Sequence, residues 1–131
     1  MSTPAENKVK LFFSMVGNGI HASYIKLQLS PYLPYMKDYP EIVEKHIHAF
    51  IPYLLRAPAD NREHALESLL TIAKEIPQVR ERIIEEFGPI FFKFHPYWHE
   101  SYYFNELMSV LEIPIARPNL QRGATKDFEN N

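Results

Sequence analysis

The first apolar pattern in the chain predicts a helix close to residue 3. Thr3, Pro4 and Glu6 have the arrangement of a capping box with proline at the first helical position, in which Thr3 and Glu6 satisfy otherwise unpaired amides. Gly17-Asn18-Gly19 supplies the left-handed conformations that commonly end a helix. Between these two signals, apolar residues recur at the spacing of one helical face: Val9, Phe12, Phe13 and Val16.

Residues 20–38 combine two conflicting patterns. The stretch "YIKLQL" alternates between apolar and polar residues like a strand, whereas "SPYLPYM" carries two prolines that interrupt either kind of element. A single strand would have no evident partner in this chain. The pattern therefore favours a helix over residues 20–29, followed by an irregular segment or a short helical turn.

An internal repeat organises the next part of the chain. When "YPEIVEKHIHAFIPYLLR" (residues 39–56) is aligned with "IPQVRERIIEEFGPIFFK" (residues 76–93), five of the 18 positions are identical, where chance would give about one. Ile113-Pro114 follows Ile76-Pro77 at the same spacing, so the proline marks three successive unit boundaries. The identical pairs all lie 37 residues apart: Pro40 and Pro77, Glu44 and Glu81, Ile47 and Ile84, Phe50 and Phe87, Pro52 and Pro89.

Each repeat unit is interpreted as a pair of helices. In the first unit, Pro52 is expected to kink or end the outer helix, because it has no amide to donate to the carbonyl four residues back. Asp60 is expected to cap the inner helix, with Glu63 completing a capping box. The outer helix has an apolar face of Ile42, Val43, His46, Ile47 and Phe50, and the inner helix one of Leu66, Leu69, Leu70, Ala73 and Ile76.

The second unit follows by correspondence at the 37-residue spacing. His95 and Pro96 are then expected in the turn between its two helices, and His99 in the first turn of its inner helix. The core positions of that inner helix are expected to be Tyr103, Leu107, Val110 and Ile113.

The recurring prolines and the two apolar ladders resemble the HEAT and armadillo class of α-helical repeats. The resemblance covers residues 39–113 and implies an all-α fold, a short α-solenoid-like domain of stacked antiparallel helix pairs with an N-terminal capping helix. We expect a mobile tail at residues 116–131, where apolar periodicity is weak. The expected divisions are a single domain over 1–115, an N-terminal cap over 3–38, and units over 39–75 and 76–113.

Composition narrows the classes of protein and site to be considered. The chain has 131 residues, of which 46% are apolar and 23% charged, close to globular averages. Its net charge of -2 argues mildly against nonspecific nucleic-acid binding. The chain has no cysteine, which excludes disulfides, thiolate metal sites and cysteine nucleophiles. We expect a cytoplasmic protein, because the sequence has neither a signal-peptide pattern nor an apolar run of the ~18 residues that a membrane span needs.

The histidines raise the question of a metal or catalytic site. His95 and His99 would share one face of a continuous helix, where they could hold a metal ion together. Pro96 pushes His95 away from helical angles, so a turn stabilised by aromatic packing is the preferred interpretation. His46 and His48 do not face each other on a helix, and His46 is expected on the buried face as a structural residue.

The two inner helices differ at positions outside their expected cores. These positions are polar in the first inner helix and apolar in the second, which predicts a second apolar stripe on the last helix. The tail, another copy of the chain or a partner would have to cover this stripe. Polar substitutions at Phe104 and Met108 would then weaken association without unfolding the protein. In the first unit these positions hold Glu67, Thr71 and Lys74, and in the second Phe104, Met108 and Leu111.

These patterns predict a protein–protein interaction module without enzymatic activity: an adaptor, a regulator or a complex subunit that binds another protein or a second copy of itself. One alternative is a small metal-binding protein or enzyme centred on His95 and His99. Another is a nucleic-acid-binding helical repeat using Arg56, Arg62 and Lys93. No cofactor, small-molecule ligand or membrane contact is indicated. The expected partner-binding residues are Glu63, Glu67, Thr71, Lys74, Phe104, Met108 and Leu111.

Overall fold

The computed structural model describes residues 3–19, 22–56 and 58–114, with the backbone alone for residues 22–27. Over these ranges every regular element is helical, which confirms the all-α prediction. Short 3-10 helices at Ile47–Phe50 and Pro77–Val79 join some of the α-helices. The α-helices are α1 (Pro4–Gly17), α2 (Ala22–Asp38), α3 (Pro40–His46), α4 (Ile51–Leu55), α5 (Ala59–Glu75), α6 (Arg80–Trp98) and α7 (Tyr102–Leu111).

Helix α1 begins and ends where its sequence signals predict. Thr3 Oγ1 accepts a hydrogen bond from the Glu6 amide at 3.1 Å, and the Thr3 amide donates to Glu6 Oε1 at 2.7 Å, which completes the capping box. Gly19 adopts a left-handed φ of 80° just after the helix. The four predicted apolar residues are all buried: Val9, Phe12, Phe13 and Val16.

Helix α2 is continuous, so the predicted break at its prolines is wrong. Pro31 and Pro34 both lie inside the helix and on its exposed side, where water can hydrogen-bond the carbonyls that lose their amide partners. The opposite side carries the buried Leu29 and Met36, and α2 packs against α1 and α5. Packing of the apolar side therefore outweighs two missing backbone hydrogen bonds.

Pro52 interrupts the outer helix of the first unit as predicted. Helix α3 ends at His46, and α4 begins at Ile51 with Pro52 in its first turn. Pro52 has no amide for the His48 carbonyl, which accepts instead from the Ile51 amide. This tighter hydrogen bond explains why the chain between α3 and α4 is a 3-10 turn.

The predicted cap of α5 is wrong. The helix starts at Ala59 with Pro58 as N-cap, no side chain caps its first turn, and Asp60 is already helical. The extended backbone of Pro58 (φ -82°, ψ 166°) allows its carbonyl to accept from the Asn61 amide at 3.0 Å, so the helix begins before Asp60 can act as a cap. The Glu63 carboxylate accepts instead from the Ser101 hydroxyl at 2.6 Å.

Helix α6 is longer than predicted, because it continues through Pro96 to Trp98. Pro96 lies on the exposed side, while Phe94 and Trp98 stack one helical turn apart with ring centroids 5.0 Å apart. The predicted turn at His95 is therefore wrong, and the chain turns over residues 99–101. Asn105 Nδ2 holds this turn by donating to the carbonyls of His99 (2.6 Å) and Ser101 (2.9 Å).

The longer α6 shifts the correspondence between the two inner helices by one residue. Ser101 and Glu63, which hydrogen-bond to each other, are 38 residues apart rather than 37. At that spacing the buried residues Leu66, Leu69, Leu70 and Ala73 of α5 match the buried residues Phe104, Leu107, Met108 and Leu111 of α7. The predicted core residues Tyr103, Val110 and Ile113 are only partly buried. The prediction of a second apolar stripe outside the core of α7 is therefore wrong, since its three residues belong to the core.

The segment predicted to be an N-terminal cap contains a helix pair of its own. Phe13 of α1 and Phe50 are both buried, and their rings meet edge to face at 6.1 Å. The Tyr53 hydroxyl donates to the Val16 carbonyl, 37 residues earlier, at 2.9 Å. Helix α1 packs against α2, α3 and the 3-10 turn at Ile47–Phe50, while α5 packs against both α2 and α7. The predicted tail, residues 116–131, lies outside the described residues.

None of the helices in the described ranges is long and apolar enough to cross a membrane.

Replacing Phe104 with alanine is expected to lower the free energy of unfolding by about 3–5 kcal/mol, because a buried aromatic side chain is removed from the core. Tyr102→Ala is the matched control: this neighbour in α7 is 67% exposed, and its removal is expected to change stability by no more than about 0.5 kcal/mol. Urea unfolding followed by circular dichroism measures both. Equal unfolding midpoints for the two variants would contradict the buried position of Phe104.

Candidate functional site

The polar residues of the predicted partner-binding surface lie along one side of α5. Glu63, Glu67 and Thr71 are half-buried, and Lys74 is exposed. The Thr71 hydroxyl donates to the Glu67 carbonyl at 3.1 Å, and the Glu63 carboxylate is held by Ser101. Glu63 thus has a structural role in joining α5 to the start of α7.

Glu67 and Thr71 border a small cleft between α2 and α5. Its volume is about 170 Å³, and the buried hydroxyl of Ser68 lines it without a hydrogen-bond partner among the described residues. The remaining lining residues are Leu29, Ser30 and Leu33. A space of this size holds a few water molecules or a single side chain.

Phe104, Met108 and Leu111 are not available to a partner. Their side chains are 2%, 6% and 5% exposed. The Phe104 ring meets the rings of Phe91 and Trp98 edge to face, with centroids 5.7 and 5.8 Å away. The seven predicted partner-binding residues therefore divide into three core residues and four residues along α5.

A larger cleft lies where the end of α4, the start of α5 and the last turns of α6 meet. Its volume is about 330 Å³, which is near the lower end of the range for ligand pockets. It combines two arginines with apolar and aromatic walls, and none of its described lining residues is acidic. The lining residues are Leu54, Leu55, Arg56, Ala59, Arg62, Phe94 and Trp98. We call this the arginine–aromatic cleft.

Arg62 and Trp98 form the floor of the arginine–aromatic cleft. The Arg62 guanidinium lies over the Trp98 ring, 5.4 Å from its centroid, in a cation–π contact. The indole is also stacked on Phe94. Arg62 Nε is buried, lies 3.5 Å from Glu63 Oε2 and makes no hydrogen bond with any described residue. The guanidinium is thus positioned by the ring beneath it rather than by a strong ion pair.

Exposed apolar side chains adjoin the arginine–aromatic cleft. Leu55, in its wall, is 49% exposed, and Tyr97, whose ring lies 6.5 Å from that of Phe94, is 78% exposed. The Lys93 ammonium lies over the Phe94 ring at 5.6 Å. Arginine and aromatic side chains are typical of the energetic centres of protein interfaces.

The cleft was missed at the sequence level because α6 was predicted to end before His95. In a continuous helix, Phe94 and Trp98 share one face. Their spacing of four residues is the sequence signal that could have indicated the aromatic wall of the cleft. The sequence groups Arg56, Arg62 and Lys93 only as basic residues for a nucleic-acid ligand. The structure gathers all three around Phe94, two in the cleft and one over the ring.

The continuity of α6 also changes the position of the histidine pair. His95 and His99 are one turn apart, at the last turn of α6 and at its C-cap, so the prediction that Pro96 separates them is wrong. His95 Nδ1 is buried and has no hydrogen-bond partner among the described residues. Within residues 3–19, 22–56 and 58–114, no three His, Cys, Asp or Glu side chains are grouped so that they could hold a metal ion.

His46, the last residue of α3, packs against α1 as a structural residue. Its ring is partly buried and stacks on Phe13 with centroids 6.1 Å apart. Burial, followed by the positive charges of His48, Lys45 and Lys10, lowers the pKa of His46 below its ordinary value of 6.5. His46 therefore favours its neutral form in the folded protein.

No protein-family model, curated protein or solved structure matches the chain. The assignment of a function therefore depends on the geometry of the chain itself.

Stability is expected to fall as the pH is lowered through the range below 6.5, because the unfolded chain binds a proton at His46 more readily than the folded chain. Above pH 7, where His46 is neutral in both the folded and the unfolded chain, its contribution to the free energy of unfolding does not change with pH. His46→Phe, which keeps the ring stacked on Phe13, should reduce the loss of stability between pH 7.5 and pH 5.5 in urea unfolding.

His48→Gln serves as the comparison for His46→Phe. It removes only the charge of His48, which is the second cause of the lowered pKa of His46. Most of the pH dependence of stability should therefore remain. The same pH dependence in His46→Phe as in the unmodified protein would rule out His46 as its source.

Proposed function

We propose that the protein is a protein–protein interaction module without enzymatic activity, acting as an adaptor, a regulator or a subunit of a complex. We further propose that its helices form stacked pairs, as in the HEAT and armadillo class of repeats. Support for the stacking comes from the packing of α5 against both α2 and α7, and of α6 against the 3-10 turn at Ile47–Phe50. Neighbouring pairs then bury residues at equivalent positions, such as Leu54 and Phe91, which are 37 positions apart and both buried.

The observation that carries the proposed function is the arginine–aromatic cleft with Leu55 and Tyr97 beside it. Both side chains keep large apolar areas in water, and burial of the exposed half of Leu55 alone contributes about 1 kcal/mol. Arg62 is already ordered by Trp98, so a partner that binds it immobilises little additional side chain. A stacked aromatic base, an oriented cation and exposed apolar groups together favour recognition of another protein.

A photo-crosslinking amino acid at position 55 or 97 is expected to yield a discrete crosslinked product in the cells from which the sequence derives. The control is position 11, because Leu11 is also apolar and 51% exposed but lies on α1, away from the cleft. Mass spectrometry identifies the product as another protein or a second copy of the chain. The proposal fails if positions 55 and 97 yield no product, or only products that position 11 yields equally.

A further inference from the structure

The arginine–aromatic cleft has a net positive lining. Arg56 and Arg62 contribute two guanidinium groups, and within residues 3–19, 22–56 and 58–114 no carboxylate lines the cleft. Arg56 is exposed and makes no ion pair with the described part of the chain, while the nearest carboxylate to Arg62, that of Glu63, is also held by Ser101. Ala59 lines the cleft at the start of α5, so the positive end of this helix adds to the same potential.

The other walls are apolar and partly open. Leu54 and Trp98 are buried, whereas Leu55 is half exposed at the opening. The volume of about 330 Å³ accommodates one large side chain together with a neighbouring carboxylate. An arginine guanidinium binds a carboxylate through two parallel hydrogen bonds, which also fixes the direction of approach.

The aromatic rings of the cleft are not available for stacking by nucleic-acid bases. Trp98 is only 4% exposed, with the Arg62 guanidinium over its ring and Phe94 stacked against it. Phe94 in turn has Trp98 on one face and the Lys93 ammonium over its ring. Single-stranded nucleic acids depend on open aromatic faces for much of their affinity, so this geometry favours a protein ligand.

From these features we propose that the cleft binds a protein segment in which an aspartate or glutamate lies next to a large apolar residue. The carboxylate pairs with Arg62 and Arg56, and the apolar side chain packs against Leu55 and the edge of the Phe94–Trp98 stack. This inference rests on the proposed function and specifies the chemistry of the partner.

The test is selection of a displayed library of random octapeptides on the full chain, with selection in parallel on Arg56→Gln/Arg62→Gln. We expect the unmodified chain to enrich peptides with an acidic residue beside Phe, Leu, Ile, Met or Trp, and the double variant to lose that enrichment. Enrichment of neutral or basic motifs, or of no motif, overturns the inference.

An enriched peptide then allows a quantitative test, because Trp98 is the only tryptophan and its fluorescence reports on the cleft directly. Changing the acidic residue of the peptide to its amide should weaken binding by about tenfold or more, since a charge-assisted hydrogen bond is lost. Arg56→Gln, which alters an exposed side chain, should have a similar effect. Arg82→Gln is the matched control on α6, where Arg82 pairs with Glu85 and Glu86. Equal affinity for the acid and the amide peptide contradicts the inference.

A labelled single-stranded oligonucleotide is titrated alongside the peptide. Oligonucleotide binding that depends on Arg56 and Arg62, in the absence of peptide binding, would assign the cleft to nucleic acid instead. Crosslinks from positions 55 and 97 to a protein, combined with selected peptides that are not acidic, would overturn the inference about the partner and leave the proposed function intact. Absence of both crosslinks and selected peptides would remove the proposed function as well.

Discussion

The burial of α5 is the constraint on which the rest of the structure depends. This helix packs against α2, α4 and α7, and seven of its 17 residues are buried, so it has little freedom to rotate or slide. The hydrophobic residues of α2 and α7 must match its surface, because close-packed interiors tolerate few voids. The first turn of α5, held in place by this packing, is what brings Arg62 to Trp98.

The sequence predicted elements well where a local signal and tertiary packing agree. The capping box and apolar face of α1, the interruption before Pro52 and the core side of α5 all follow from short-range rules, and the structure confirms them. The errors at Pro34 and Pro96 have a common cause. A proline weakens a helix locally, but both of these lie on exposed sides while their helices bury large side chains elsewhere, and that burial cannot be estimated from the proline alone.

The partner-binding residues predicted on α7 are wrong because their position depends on a difference of one residue. A repeat alignment assumes that equivalent helices start at equivalent positions, whereas the turn after Trp98 moves α7 by one place relative to α5. On a helix, one residue is a rotation of about 100°. Such a rotation places Phe104 and Met108 in the core, and it explains why residues chosen for a surface proved to be buried. Arg62 and Trp98 are 36 residues apart in the chain, and no local pattern connects them.

The two prolines of α6 affect the mechanics of the arginine–aromatic cleft. Pro89 and Pro96 cannot donate to the carbonyls of Glu85 and Phe92, so two consecutive parts of the helix each lack a backbone hydrogen bond. A helix bends most easily where such bonds are missing. The Phe94 and Trp98 wall is carried on this compliant segment and is held in place by ring stacking. The position of this wall, and with it the width of the cleft, therefore depends on the stacking of Phe94 on Trp98 as well as on the backbone of α6.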